Sequence, residues 1–304
     1  MTVKRNIVLL ALTVAWLSGC AASFGYNRLD WLIPWYVDGY VDLSGEQRDA
    51  LRGHLEPRLA WHREEELARY LALLETIEQD LAGEVSPERV RAWTQSVIDA
   101  AVRLERNMIE VGLAFGEDIS EPQMREFVDS LWERQREFEE EFLDRSDARY
   151  FDDDYDKLES LLERFLGRLT ADQEDALRQA SRGLQRFDRA WLEEREGWLN
   201  RLQPVLLERA DGWQQQVMQD YEARLRLRTP DYHATLDHNV TRISQAIAAV
   251  IGMMTEKQHK HARKELDDLR ETLRDLMQHE STALNRGTWR DLDTTRNRPC
   301  NHWA

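Results

Sequence analysis

Two stretches of this chain, LSGEQRDALR at 43–52 and LTADQEDALR at 169–178, are almost the same. In each, a leucine is followed by a hydroxyl residue, two variable positions and a glutamine. A serine or threonine just before a helix accepts a hydrogen bond from a backbone N–H of the first turn, and a glutamine three residues later reaches back to the N–H of the cap itself. The sequence therefore predicts one helix that starts after Ser44 and another that starts after Thr170.

Four further helix starts are predicted by the same local chemistry. Ser86 and Thr229 each precede a proline, which suits the first helical position because its missing N–H needs no partner there. Ser120 and Thr255 repeat the hydroxyl-x-x-Gln pattern. The six starts run in the same order twice, first with serine and then with threonine, which predicts duplication of a three-helix unit; chance recurrence of capping chemistry is the alternative. The predicted capping glutamines are Gln47, Gln123, Gln173 and Gln258.

The remaining pattern predicts an all-α protein, an elongated bundle of long amphipathic helices. The chain has 14 glycines and 7 prolines among 304 residues, which suits long helices with few turns. Apolar residues recur every three or four positions at 90–111, 177–198 and 262–276, with charged residues between them, and no stretch alternates as a strand does. Pro57 and Pro204 lie inside helical patterns and are expected to kink or break their helices.

The N-terminus predicts export and lipid attachment. Lys4 and Arg5 precede an apolar run and then small residues, the pattern of a signal peptide. The sequence LSGC at 17–20 resembles the lipobox of bacterial lipoproteins, which implies diacylglycerol on Cys20, cleavage before it and acylation of the new N-terminus. Ala21 and Ala22 replace the aspartate of an inner-membrane retention signal, which favours the outer membrane, facing the periplasm. An ordinary cleaved signal peptide is the alternative.

These features predict the domain organisation of the chain. Residues 1–19 form the signal peptide, 20–43 a lipidated aromatic anchor segment and 44–150 the first helical unit. Residues 151–169 form an acidic connecting helix, 170–284 the second helical unit and 285–304 a disordered tail, which lacks periodicity.

Charge and cysteine content narrow the possible partners. The formal charge is −16, and loss of the two basic residues of the signal peptide brings it to −18. Such a surface opposes binding to nucleic acid, and binding to anionic membranes beyond the lipid anchor. Apart from Cys20 the only cysteine is Cys300, so no disulfide can form within one mature chain. Cys300 is predicted to be a free thiol, with a bond to another molecule as the alternative.

The segment after the lipobox is rich in aromatic residues and resembles an uncharacterised family of bacterial lipoproteins. The resemblance implies a location and an architecture but no activity. For the aromatic side chains, packing on the bundle is favoured over insertion in the membrane interface, since large aromatics are mostly core. The residues that carry the resemblance are Gly25, Tyr26, Asn27, Arg28, Leu29, Trp31 and Leu32, then Asp38, Gly39 and Tyr40.

The sequence contains little that predicts chemistry. The eight histidines are not spaced to share a metal on one helix face, since His259 and His261 are two residues apart, and no known metal or phosphate-binding motif is present. Some all-α periplasmic lipoproteins cleave peptidoglycan with one glutamate, and Glu280-Ser281 resembles such a site, but glycine-rich surroundings are missing. We therefore predict no catalytic, metal or cofactor site, and no enzyme.

Two functions remain. The favoured one is a lipid-anchored helical scaffold or protein-interaction module with a protein partner. The alternative is a periplasmic chaperone, because the hydroxyl-x-x-Gln motif is similar to the signature of the small Spy-type chaperones. On that resemblance 43–47, 169–173 and 254–258 would mark homologous turns that expose an amphipathic surface to unfolded clients.

Overall fold

The computed structural model describes residues 19–278, and every regular element in this range is helical. The all-α prediction is thus confirmed. Residues 1–18 of the predicted signal peptide and the predicted tail lie outside the described range. The helices are α1 (Gly19–Tyr26), α2 (Leu29–Val37), α3 (Gly45–Trp61), α4 (Leu67–Leu81), α5 (Pro87–Phe115), α6 (Glu121–Leu143), α7 (Asp147–Leu166), α8 (Ala171–Arg182), α9 (Asp188–Glu208), α10 (Trp213–Leu227), α11 (Pro230–Gly252) and α12 (Glu256–Gln278), with a π-helical turn at His62–Glu66 between α3 and α4.

All six predicted caps stand directly before the first residue of a helix. In the four hydroxyl-x-x-Gln motifs the glutamine Oε1 accepts a hydrogen bond from the backbone N–H of its own cap, at 2.9 to 3.1 Å. The predicted capping glutamines are therefore confirmed, and each satisfies a donor that the helix itself leaves unpaired.

The capping glutamines also bond to each other across the fold. Gln47 and Gln123, at the starts of α3 and α6, exchange two amide hydrogen bonds of 2.9 and 2.8 Å. Each amide nitrogen then donates to a carbonyl oxygen just before the partner's cap, Gln47 to Asp118 at 2.8 Å and Gln123 to Asp42 at 2.7 Å. The two helix starts are thus joined through side-chain amides.

The second half of the chain repeats this arrangement between α8 and α12. Gln173 and Gln258 exchange amide hydrogen bonds of 3.2 and 2.8 Å, and their amide nitrogens donate to the carbonyl oxygens of Val250 and Arg168. Here both glutamines are buried, with 0% and 4% of their surface exposed, whereas the first pair is partly exposed.

The apolar neighbours of the two pairs correspond as well. Leu51 and Leu177 lie at the same distance after their caps and are both almost fully buried. Phe115 and Val250 lie at the same distance before the next cap and occupy the same places in two separate core clusters. The same caps, amide pairs and core positions in both halves are what a duplicated unit predicts.

The two halves cross over each other in the bundle. In each half, the helix that begins at the second capping glutamine packs on a helix of the other half. α6 packs against α9, and α12 packs against α4. The long helices α5 and α11 also pack on each other. Three core clusters therefore combine residues of both halves, whereas two others lie within one half each.

The stripe at 177–198, predicted as one helix, is two helices, because 183–187 separate α8 from α9. The break is held by α11. The Asn239 side chain accepts from the Gln185 N–H and donates to the Gln185 carbonyl, both at 2.8 Å, and His238 Nε2 lies 2.9 Å from the Gly183 carbonyl oxygen. A side chain at Gly183 would collide with the Arg242 guanidinium. Contacts with a distant helix therefore replace the helical hydrogen bonds.

Pro57 and Pro204 are expected from the sequence to kink or break their helices, and the break is wrong at both positions. α3 continues through Pro57, and α9 continues through Pro204. Each proline removes one backbone donor, and packing of the flanking residues on neighbouring helices offsets that loss; Leu55 and Val205, for example, are buried.

We expect Gln173→Ala to lower the free energy of unfolding by about 3 kcal/mol and Gln47→Ala by only about 1 kcal/mol. The first change strands the buried amide of Gln258, whereas water can replace the partly exposed amide of Gln47. Urea unfolding of the mature chain carrying Cys20→Ser measures both free energies of unfolding. Equal decreases in the two variants would contradict the claim that burial makes the second glutamine pair more stabilising.

Candidate functional site

The π-helical turn between α3 and α4 contains Glu66, the most buried ionisable side chain described in the N-terminal half. The Leu67 N–H bonds to the His62 carbonyl, five residues back, so this turn holds one more residue than an α-helical turn. Such turns are frequent at functional positions. His62 and Glu66, four residues apart, both face inward, one toward α1 and the other toward α5.

His62 lies between two tyrosines. Tyr26 Oη, from α1, is 2.9 Å from His62 Nδ1, and Tyr70 Oη, from α4, is 3.4 Å from Nε2. A neutral imidazole carries one N–H and one bare nitrogen, so one tyrosine donates to the ring while the other accepts from it. The arrangement satisfies both ring nitrogens and ties the anchor segment to the bundle.

Burial keeps this triad uncharged. It lowers the pKa of His62 to about 4 and raises the pKa of both Tyr26 and Tyr70 to about 12. The nearby carboxylate of Glu66 raises the pKa of His62, but the loss of hydration outweighs it. At neutral pH the group can hold a hydrogen-bonded position but offers no charge for catalysis.

Glu66 supplies the charge of the site and is fully buried. Arg103, from α5, binds both of its oxygens, with Nε 2.6 Å from Oε1 and Nη2 2.8 Å from Oε2. Arg69 Nη1 lies 2.5 Å from the same Oε1. Hydrogen bonding to Glu66 raises the pKa of Arg103. This two-pronged ion pair joins the π turn to α5, as planar guanidinium and carboxylate groups favour.

Arg63 connects three separate segments. Its Nη1 donates to the Leu276 carbonyl at the end of α12, and its Nη2 donates to the Asn27 side-chain oxygen. Its guanidinium also lies 5.1 Å from the centre of the Tyr26 ring. The site therefore holds the start and the end of the described chain against the π turn. We call the contacts of His62 and Arg63 with Tyr26, Asn27 and Leu276 the clamp.

The residues singled out from sequence are placed as follows. Cys20, the predicted lipid-attachment residue, lies in α1 six residues before Tyr26, so about 9 Å of helix separates it from Tyr26. Glu280, Ser281 and Cys300 lie outside the described residues. Within 19–278 no three His, Cys, Asp or Glu side chains are grouped to hold a metal ion. No helix of that range is long and apolar enough to span a membrane.

The aromatic segment divides into two sets. Tyr26 is 5% exposed, and Tyr36 and Tyr40 pack with their hydroxyl oxygens 2.8 Å apart. For these tyrosines the expected packing on the bundle is right. For three other rings it is wrong, because they are more than half exposed; these are Phe24, Trp31 and Trp35.

Sequence reasoning missed the clamp. His62 and Glu66 are four residues apart and Tyr70 lies eight residues after His62, spacings that place them near one helix face. That signal indicates a polar stripe only. The contact between Tyr26 and His62 spans 36 residues, and nothing local predicts it.

Comparison with known proteins gives one match. The model of a family described as "Family of unknown function (DUF6279)" matches residues 39–233. The segment at 25–32 precedes the matched range. No curated protein and no solved structure matches the chain.

Stability should fall between pH 6.5 and pH 4 through His62. The unfolded chain binds a proton there below about pH 6.5, whereas the folded chain does not until about pH 4. The contribution is fully present above pH 6.5 and is lost as the pH falls, by roughly 2–3 kcal/mol at pH 4.5. Urea unfolding at pH 7 and pH 4.5 should show a smaller loss in His62→Gln. The exposed His233→Gln is the matched control, and an unchanged loss in His62→Gln would refute this cause.

Proposed function

This chain belongs to the family of unknown function DUF6279, as the sequence resemblance predicted, and we propose that it is a lipid-anchored helical scaffold or protein-interaction module of the bacterial envelope. It is held on the outer membrane by acyl groups at Cys20 and faces the periplasm. It binds a protein partner rather than nucleic acid, and it catalyses no reaction.

One observation carries this proposal, the direct connection between Cys20 and the folded body. Helix α1 begins at Gly19, and Tyr26, in the same helix, is already buried against His62. A lipid on Cys20 would thus be followed at once by rigid helix, so the bundle would stand at a fixed height and angle to the membrane. A fixed orientation suits a scaffold, which must present its surface to a partner at a defined place.

The chaperone alternative is favoured by the paired glutamines. Two of the three turns that resemble the Spy-type signature, 169–173 and 254–258, pair through Gln173 and Gln258, and the third, 43–47, pairs in the same way with the turn of Gln123. However, the most exposed large apolar side chains adjoin the anchor position, where the membrane would hide them from clients.

Replacing the lipid-attachment residue tests the proposal. In cells fed labelled palmitate, Cys20→Ser should lose the label and leave the membrane fraction, because the thioether needs the thiolate of Cys20. Cys300→Ser is the matched control and should keep both. Label retained in Cys20→Ser would contradict the anchor, and wild-type protein at inner-membrane density would contradict the outer-membrane assignment.

An aggregation assay separates the scaffold from the chaperone. The mature chain carrying Cys20→Ser is mixed at stoichiometric amounts with reduced, unfolding insulin, and light scattering is followed. A scaffold should leave the scattering unchanged. Suppression that is lost on replacing exposed apolar residues by polar ones would favour the chaperone instead.

A further inference from the structure

Three aromatic side chains after the anchor position form what we call the aromatic face, Phe24, Trp31 and Trp35. They are 67%, 54% and 57% exposed. Among the side chains that the structure describes, the other exposed large apolar ones are less exposed, at 37–39%, and lie far apart in the sequence; these are Val97, Leu161 and Met253. Trp31 and Trp35 are in contact, and Phe24 precedes Trp31 by seven residues; exposed apolar groups that cluster mark interaction sites.

The structure holds the aromatic face outward. Trp31 and Trp35 are four residues apart on α2, and their rings stack with centres 6.4 Å apart at an angle of 8°. The opposite side of α2 is fixed on the bundle, where Pro34 is buried and Ile33 packs on the core cluster of α3 and α5. The face therefore cannot turn inward without unpacking that cluster.

The polar atoms around the face are also open to a partner. In the described part of the chain, neither indole N–H of Trp31 and Trp35 has a protein acceptor, nor does Arg28 have a carboxylate within ion-pair distance. The exposed Arg28 guanidinium lies 5.4 Å from the centre of the Phe24 ring. Exposed rings with free donors and a nearby cation suit an environment that is apolar on one side and offers phosphate and ester oxygens on the other.

We propose that the aromatic face rests in the interface of the membrane that holds the lipid anchor, as a second point of attachment. This inference rests on the proposed function, because the acyl groups on Cys20 bring the face to the surface. Phe24 follows Cys20 by four residues of α1, about 6 Å along the helix. The rings lie at the boundary of the acyl chains, the indole N–H groups donate to lipid oxygens and Arg28 binds a lipid phosphate.

The charge of the chain selects the lipid. A mature chain with a formal net charge of −18 is repelled by an anionic membrane surface. A zwitterionic phospholipid instead offers its phosphate to Arg28 and carries no net negative charge. The C-terminal segment 279–304 is a weaker candidate for the same face. It continues from α12, which packs on α1, but its sequence is polar and has no apolar period that could cover three rings.

Quenching by brominated lipid tests the proposal on the full mature lipoprotein. The protein is placed in phosphatidylcholine vesicles whose acyl chains carry bromine near the interface, and tryptophan fluorescence is recorded. Part of the wild-type emission should be quenched, and that part should be lost in the double variant W31F/W35F, although both proteins stay bound through the lipid. W213F is the matched control, because Trp213 is buried in the core and its loss should leave the quenched part unchanged.

Mass spectrometry of the N-terminal peptide separates the two ways of failing. If Cys20 is acylated and W31F/W35F is quenched as strongly as the wild type, the aromatic face does not touch lipid and this inference alone is overturned. The same holds if the wild type is not quenched at all, as expected when the C-terminal segment or a second copy covers the face. If Cys20 carries no acyl group, the proposed anchor fails and this inference fails with it.

Discussion

The arrangement of this bundle depends on the reciprocal amide bonds between capping glutamines. One glutamine side chain accepts from its own cap, donates to its partner glutamine and donates to a carbonyl beside the partner's cap. Each residue thus satisfies two backbone groups near two helix starts and one side-chain oxygen of its partner, and separation of the helices would break the bonds between them. The second pair is buried, where such losses cost most.

The two glutamine pairs also set the relation of the halves. Each pair fixes the direction of the helix that begins at its second glutamine, α6 or α12. That helix then packs on a helix of the other half, α6 on α9 and α12 on α4. Each half has one core cluster of its own, and three further clusters combine residues of both halves. The result is one interlocked bundle, in which the end of the described chain returns to its beginning.

The clamp at the π turn joins the start of the described chain to its end. Tyr26 and Asn27 of the anchor segment meet His62 and Arg63, and Arg63 also holds the end of α12. The buried pair of Glu66 and Arg103 fixes the turn on α5. Such pairs position helices more than they stabilise them, since the cost of burying charge offsets much of their attraction. The segment behind Cys20 is thus joined to the bundle, and the exposed rings of Trp31 and Trp35 stack on each other.

By itself the sequence determined the helical class, the six caps and the capping boxes, because each depends on groups within four residues of one another. It also supplied the lipobox resemblance and the family. The tertiary structure alone decided the pairing of Gln47 with Gln123 and of Gln173 with Gln258, 76 and 85 residues apart. It also decided that the helix is interrupted at 183–187, where Asn239 binds the backbone, and that Tyr26 is buried whereas Trp31 is exposed. Such contacts join distant residues, and no local pattern records which helix will be the neighbour.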